Sequence, residues 1–316
     1  MLSISIIIPT YNRAYCLPRA IDSALKQSYQ AQNIIVVDDG STDDTVSLIK
    51  EKYPQVIFIQ QKNAGVSAAR NNGIKHVDTD WVALLDSDDE WLPDKLEQQV
   101  ALIAKNPESK LCHTEEIWIR NGVRVNQMNK HQKSGGWIFE KCLPLCAMSP
   151  SSVLMRKTLF DEVGLFREDL PACEDYDLWL KICASNPVLY LEEPGIIKYG
   201  GHEDQLSQKF WGMDRFRIKS LLGLLRGGLL KSDLQKNGLQ KEESLKNGLF
   251  NHDLLNHGLL NKGLLKDRLL NEDQERQVRT MLEKKINIFI KGARKRGKSD
   301  DVAYYESLLD QLGVSL

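Results

Sequence analysis

No stretch of this 316-residue chain approaches the roughly 18 consecutive apolar residues that would cross a bilayer, so no membrane-spanning helix is expected. The opening, Met1 to Pro9, has no basic segment ahead of its apolar run and no small-residue cleavage site, and reads as a first strand. A cytoplasmic location, at most at the inner face of a membrane, is the expectation. Cysteine is sparse and unpatterned. The six thiols, Cys16, Cys112, Cys142, Cys146, Cys173 and Cys183, give no disulfide spacing, and the close pair Cys142 and Cys146 lacks the second pair that a zinc site needs. They read as small buried hydrophobes in a reducing compartment. Charge of one sign is also missing. A net charge of −1 leaves no general attraction to nucleic acid or to an anionic surface. Two phosphate-cradling motifs are absent, G-x-G-x-x-G and G-x-x-x-x-G-K, so a nucleotide would have to be held by side chains and a metal.

What remains is an ordinary soluble composition, 42% apolar and 27% charged, long enough to bury a sizeable core. The first hundred residues alternate strand and helix. Ile4–Ile8, Ile34–Val37, Val56–Ile59 and Trp81–Leu85 are short apolar runs, each closed by polar residues. Between them lie Leu17–Leu25, with apolar residues at helical spacing, a segment carrying Val46 and Ile49, and a small-residue helix over Val66–His76. Such alternation predicts right-handed crossovers and a mostly parallel sheet, with polar strand ends gathered along one edge. At that edge open α/β sheets bind ligands. The densest charge there is Asp86-Ser87-Asp88-Asp89, placed directly after a buried strand. In extended backbone Asp86 and Asp88 would face the same way and suit a hard divalent cation gripping a diphosphate, whereas the bland reading is a cap for the helix after Pro93.

Beyond Lys105 the pattern loosens. Ser109–Arg120, Trp137–Phe139 and Ser149–Met155 read as strands, and Asp161–Phe166 as a helix end turning at Gly164. Glu174, Asp175 and Asp177 precede the apolar face of Leu178, Trp179, Ile182 and Cys183, which puts the acids in a first helical turn, where the helix dipole alone would favour them. From Gly223 to Leu270 Leu-Leu pairs recur largely at fives, often after Gly. A five-residue step builds no single helical face, so an irregular insert is expected there. Helical patterning returns over Glu272–Ile290 and Ser299–Leu312, with basic residues at Lys284-Lys285 and Lys291–Lys298 beside Ile286, Ile288, Phe289 and Ile290. A solvated helix face or a peripheral membrane contact would each use them.

Four motifs in order, PTYNR (9–13), VVDDGSTDDT (36–45), NAGVSAARNNGI (63–74) and ALLDSDDEWLPDKL (83–96), resemble the family 2 glycosyltransferases of GT-A fold. The likeness extends more loosely to about residue 205. It implies a glycosyltransferase domain over 1–210, beyond which the patterning leaves a helical region over 211–316 containing the repeat, and transfer of a sugar, with inversion, from a nucleotide-diphosphate donor (a UDP-sugar) to a hydroxyl of a glycan or lipid-linked acceptor. It further implies donor contacts from Pro9, Tyr11, Asp39, Arg70, Asp86 and Ser87, with Tyr11 stacking on the base, Asp39 accepting its N–H and Asp86 taking the ribose. By the same likeness Asp88 holds Mg²⁺ or Mn²⁺ with His202 completing the shell, and Asp175 is the catalytic base. Two rivals stand beside this reading. A sugar nucleotidyltransferase would want a Gly-rich loop with a Lys or Arg near residue 10, and Pro9-Thr10-Tyr11 offers none. A binding module that has lost catalysis would have no reason to keep Asp39, Asp86, Asp88 and Asp175 together.

Overall fold

A computed structural model of the chain describes residues 2–201, 210–236 and 269–312. Four strands, β1 (Ile4–Thr10), β2 (Asn33–Asp38), β3 (Ile57–Gln60) and β4 (Trp81–Leu84), pair in parallel in the order β3-β2-β1-β4. Every residue of β1 is buried, because helices cover both faces of the sheet. The pleat sorts them. Ile7, Ile35, Val37, Val82 and Leu84 enter one core, and Ile4, Ile6, Ile8, Val36 and Ala83 the other. The second core is closed by helices α1 (Leu17–Leu25), α2 (Thr45–Lys52) and α4 (Lys95–Lys105). Helix α3 (Val66–Lys75) closes the first, and its small residues have a packing reason: a Cβ at Gly73 would lie 2.6 Å from Ile7 Cγ2.

Past β4 the sheet becomes mixed. The short β5 (Glu90–Trp91), the hairpin β6 (Leu111–Arg120) and β7 (Val123–Val125), then β8 (Leu154–Arg156) and β9 (Leu189–Gly200) extend it to the order β3-β2-β1-β4-β8-β6-β9-β5, with β7 paired to β6. Nine strands thus form one sheet among the described residues, the α/β architecture expected of the resemblance. Three local expectations fail. Trp137–Phe139 is not a strand: Phe139 and Cys142 lie three apart and both bury, which makes Phe139–Cys142 a helical turn, α5. Ser149–Met155 is strand only from Leu154, because Pro150 opens a 3₁₀ turn over Pro150–Ser152. Asp86 and Asp88 do not alternate in extended chain, since Asp89 N donates to Asp86 O at 3.0 Å and closes a turn.

Helix α6 (Thr158–Val163) ends at Gly164, which has a φ of 86° at the turn read from sequence. Helix α7 (Glu174–Ser185) follows, then α8 (Asp214–Lys236), α9 (Glu272–Lys295) and α10 (Ser299–Gln311). These last three share the first core with the sheet, Ile218, Leu221 and Leu224 meeting Val278, Leu282 and Ile286. The start of the Leu/Gly repeat is therefore helical rather than irregular, for Leu224 has a core to enter and Gly223 sits where a Cβ would meet Arg167 Nη1 at 2.6 Å. Residues 237–268 of the repeat lie outside the described residues. Packing removes one member from the basic patch of α9, while Lys284, Lys291, Arg294, Lys295, Arg296 and Lys298 remain exposed. Ile286, Phe289 and Ile290 face the core, and Lys285 is buried, donating to Pro144 O at 2.8 Å and pairing with Asp214 at 3.1 Å. No described helix is long and apolar enough to cross a membrane.

Candidate functional site

The carboxyl ends of β1, β2 and β4 stand side by side, and hydrogen bonds knit their loops together. Asn12 adopts a left-handed φ of 51°, its N–H donates to Ser41 Oγ at 2.8 Å, and its Oδ1 accepts from Thr42 N at 2.7 Å. Asp38 turns back to accept from Ser41 N. The Asp39 carboxylate accepts from Ala64 N (2.9 Å), Gly65 N (2.8 Å) and Gln61 Nε2 (2.8 Å), so it holds the loop that opens α3. Gly40 is required at this crossing: its φ is 79°, and a Cβ would stand 2.9 Å from Asn63 N. Pro9 is buried in β1, while Tyr11, just past the strand, leaves its ring half exposed beside this loop pair.

Arg70 is the hinge pin of the site. Borne on α3 and almost wholly buried, it donates from Nη2 to Asp86 Oδ1 at 2.7 Å and from Nη1 to Glu174 Oε1 at 2.6 Å, with the Phe166 ring 5.1 Å from its guanidinium carbon. Burial opposes its charge, but Asp86 and Glu174 outweigh burial and raise its pKa. One cation thus ties the acidic turn after β4 to the start of α7. Asp88 pairs with Arg13, two residues past Tyr11, at 3.0 Å, and Arg19 Nη2 donates to its carbonyl at 2.6 Å. Ser87 is buried between the two acids.

Several members of the site have no signal in the sequence. Ser151 Oγ accepts from Asp86 N at 3.0 Å and donates to Asp89 Oδ2 at 2.6 Å, fixing the acidic turn from the 3₁₀ segment. Burial pushes the Asp89 carboxyl up to about 8 against the pull of Lys198, with Asp88 and Asp86 adding to the rise. Lys198, on β9, donates to Ser149 Oγ at 3.0 Å. Burial works against its charge, yet Asp89, Glu116, Asp86 and Asp88 together raise its pKa. Behind it lies a buried ion pair, Lys133 Nζ to Glu116 Oε1 at 2.8 Å. Burial alone would raise Glu116, but Lys133 and then Lys198 hold it at about 2, below its ordinary 4.5. A carboxylate depressed in the folded state stabilises the fold fully above the unfolded value and loses that contribution as pH falls through the folded one. We therefore expect about 3 kcal/mol of stability to be lost between roughly pH 4.5 and pH 2. Denaturant unfolding across that range checks it, and Glu116→Gln should flatten that part of the acid limb.

The start of α7 completes the constellation. Cys173 precedes it in the left-handed region, φ 63°, an uncommon conformation for a residue with a Cβ and one that aims the two following acids. Glu174 turns inward to Arg70, and burial followed by the adjacent Asp175 raises its pKa despite that cation. Asp175, half-buried, takes a 2.7 Å bond from Tyr176 N on Oδ1 and a 3.1 Å contact from the Cys146 thiol on Oδ2. That thiol also touches Met148 O at 3.1 Å, and burial followed by Asp175 lifts its pKa well above the ordinary value, so it stays a donor. Cys146→Ser should therefore keep kcat within about threefold while Cys146→Ala lowers it about tenfold at unchanged donor KM, because only serine retains an X–H for Oδ2. Steady-state kinetics of both variants decide it.

The sequence-derived residues thus divide. Arg70, Asp86 and the Glu174-Asp175 pair come together directly, and Asp88 joins the Tyr11 loop through Arg13. Asp39 is turned toward the entry of α3, and His202 lies outside the described residues.

Comparison with known proteins bears on the family and the fold. Residues 5–164 match a family model described as glycosyl transferase family 2. An Escherichia coli protein, UDP-Glc:alpha-D-GlcNAc-diphosphoundecaprenol beta-1,3-glucosyltransferase WfgD, is 32% identical over 187 residues, covering 58% of this chain and 71% of that protein. An uncharacterized glycosyltransferase of Rickettsia felis is 32% identical over 222 residues, covering 65% of this chain and 35% of its own length. The chain spans between 31% and 65% of the length of the Rickettsia relatives it matches. Among solved structures, S. aureus TarS residues 1–349 in complex with UDP-GlcNAc superposes with a TM-score of 0.59 at 18% identity, covering 99% of this chain and 93% of that one, a likeness of fold. With the family match spanning half the chain and the strand-end acids assembled where such a sheet binds its ligands, this chain belongs to glycosyl transferase family 2.

Proposed function

We propose that this chain moves a sugar from a UDP-sugar donor to a hydroxyl of a glycan or lipid-linked acceptor, with inversion at the anomeric carbon and with Asp175 as base. The observation that supports the proposal is the Arg70 bridge, which joins an acid of the β4 turn, Asp86, to an acid of the α7 start, Glu174. The donor's base would lie against the exposed face of Tyr11, over the loops that Asp39 holds. Asp86 and Ser87 would meet the ribose. In the transfer itself, Asp175 takes the proton of the acceptor hydroxyl while the hydroxyl oxygen forms its bond to the anomeric carbon and the bond to the diphosphate breaks on the opposite face. That single displacement inverts the centre. WfgD is named for a UDP-glucose donor and a lipid-diphosphate acceptor, and TarS has been solved with UDP-GlcNAc, which is why a UDP-sugar is chosen here.

A divalent cation belongs to this reading. Among the described residues no three His, Cys, Asp or Glu side chains are grouped to enclose a metal, but Asp88, beside its pairing with Arg13, is a partly exposed carboxylate, the hard-oxygen donor that Mg²⁺ or Mn²⁺ takes alongside substrate phosphates. When bound, the ion supplies neutralisation of the charge building on the leaving diphosphate. The test is release of UDP from UDP-glucose and UDP-GlcNAc with Mn²⁺ present and after chelation, followed by NMR of the product's anomeric configuration. Metal-dependent UDP release with an inverted product is expected. No UDP binding by calorimetry and no release from either donor would overturn the proposal.

A further inference from the structure

Helix α9 is divided along its length by charge. Its acids, Glu272, Asp273, Glu275 and Glu283, all fall in the first half, and from Lys284 to Lys298 there is none. In the first half the exposed cations are spent locally, Arg276 on Asp273 and Arg279 on Glu275 at 2.8 Å. Further on, Lys285 is buried against Asp214, and Arg294 pairs with Glu306 of α10. Lys284, Lys291, Lys295 and Lys298 are exposed and form no ion pair among the described residues.

Three of these lysines share one side of the helix. Lys284, Ile288, Lys291 and Lys295 follow at steps of four, three and four, the spacing that stacks side chains along a single face. The opposite face is the packed one, with Val278, Leu282, Ile286, Phe289 and Ala293 in the core. Ile288 leaves 52% of its surface in solvent. One exposed apolar residue alone signals nothing, but this one stands between lysines about one turn to either side. The helix dipole accounts for Arg294 and Lys295 in the last turn, and its effect has decayed about three turns upstream at Lys284. Past the helix, Arg296 and Lys298 approach the centre of the Trp211 ring at 5.6 and 5.8 Å, so the cationic surface continues round the turn. The next acids, Asp300 and Asp301, open α10 and pair with none of these lysines among the described residues.

We propose that this face docks the enzyme on a membrane surface carrying anionic headgroups, the lysines meeting lipid phosphates and Ile288 entering the boundary with the acyl chains. The apolar face of α9 is already committed, Leu282 and Ile286 joining the cluster that holds Tyr176 and Trp179 of α7, so the helix rests on the bilayer with its core packing intact. The same packing fixes the start of α7, and with it Asp175, to the docked face. Choosing a membrane over another polyanion rests on Ile288, for which a nucleic acid offers no apolar layer, and on the lipid-linked acceptor of the proposed function. The binding itself needs neither donor nor acceptor.

Flotation of the full chain with phosphatidylcholine vesicles, with and without phosphatidylglycerol, tests this beside a gel-shift titration with poly(U). Partition onto the anionic vesicles should exceed that onto neutral ones by about tenfold or more and fall as salt is raised. At about fivefold per lysine, the triple variant Lys284→Ala, Lys291→Ala and Lys295→Ala should lose about a hundredfold. Ile288→Ser should lose about tenfold and keep the salt dependence. Arg276→Ala, on the same helix but spent on Asp273, should partition as wild type. All these positions are exposed, so UDP release measured without vesicles should be unchanged in every variant. Equal partition onto neutral vesicles, wild-type partition in the triple variant or in Ile288→Ser, or poly(U) bound as tightly as the anionic vesicles would overturn the docking face. Absence of UDP release from the wild-type enzyme would instead overturn the donor reading and leave the flotation result to decide this one.

Discussion

Arg70→Met is expected to cost the fold about 3–5 kcal/mol and to lower sugar transfer by about a hundredfold or more. The side chain it removes is almost wholly buried and answers two carboxylates from elements far apart in the chain, Asp86 after β4 and Glu174 at the start of α7. Methionine fills the volume and returns neither hydrogen bond. Glu174, buried and already raised by burial and by Asp175, would then have no cation and would take up a proton or expel the helix start. Arg70→Lys should recover only part of the loss, because a single ammonium cannot span the two partners that a guanidinium fork reaches. The decisive control is the double variant Arg70→Met with Glu174→Gln. Removing the orphaned charge should restore much of the stability, read by denaturant unfolding, while transfer stays low because Asp86 and α7 are no longer joined. If transfer returned with stability, the bridge would be structural support alone.

Much of this site could be read from the sequence, for a physical reason. A buried strand cannot contain Asp86 or Asp38-Asp39, so an apolar run meeting acids marks a strand end, and parallel topology gathers those ends. The same logic placed Glu174 and Asp175 in a first helical turn. Partnership across distance was not readable. Arg70 among small helical residues was equally consistent with a surface ion pair, and its partner Glu174 lies 104 residues away. Lys198, Ser151 and Cys146 reach the site from β9 and from irregular segments whose local pattern carries no periodicity. Strand assignments past Lys105 failed where burial was driven by α7 and α9 rather than by a sheet neighbour, as at Phe139 and Cys142. The repeat misled because its five-residue step is a poor helix signal in isolation, whereas Leu221 and Leu224 have a preformed apolar wall to enter.

The second large effect concerns the base. Three acids occupy the first turn of α7, and their surroundings separate them. Glu174 is held by Arg70. Asp177 is buried and committed to Ser220 at 2.6 Å, Lys181 at 2.6 Å and Arg167 at 3.4 Å, so it has no route to a substrate proton. Asp175 is half-buried, forms no ion pair among the described residues, and is met only by a backbone N–H and a thiol. Asp175→Asn should therefore lower transfer by about 10²–10⁴-fold, the usual worth of a general base. Its amide oxygen can still accept from Tyr176 N, and no cation is orphaned, so stability should change by less than about 0.5 kcal/mol. UDP affinity should stay at the wild-type value, since the donor loops are untouched. Glu174→Gln should behave oppositely, losing stability along with turnover through Arg70. An Asp175→Asn enzyme with more than about a tenth of wild-type turnover would remove Asp175 from the chemistry and return the choice to the remaining acids of the site.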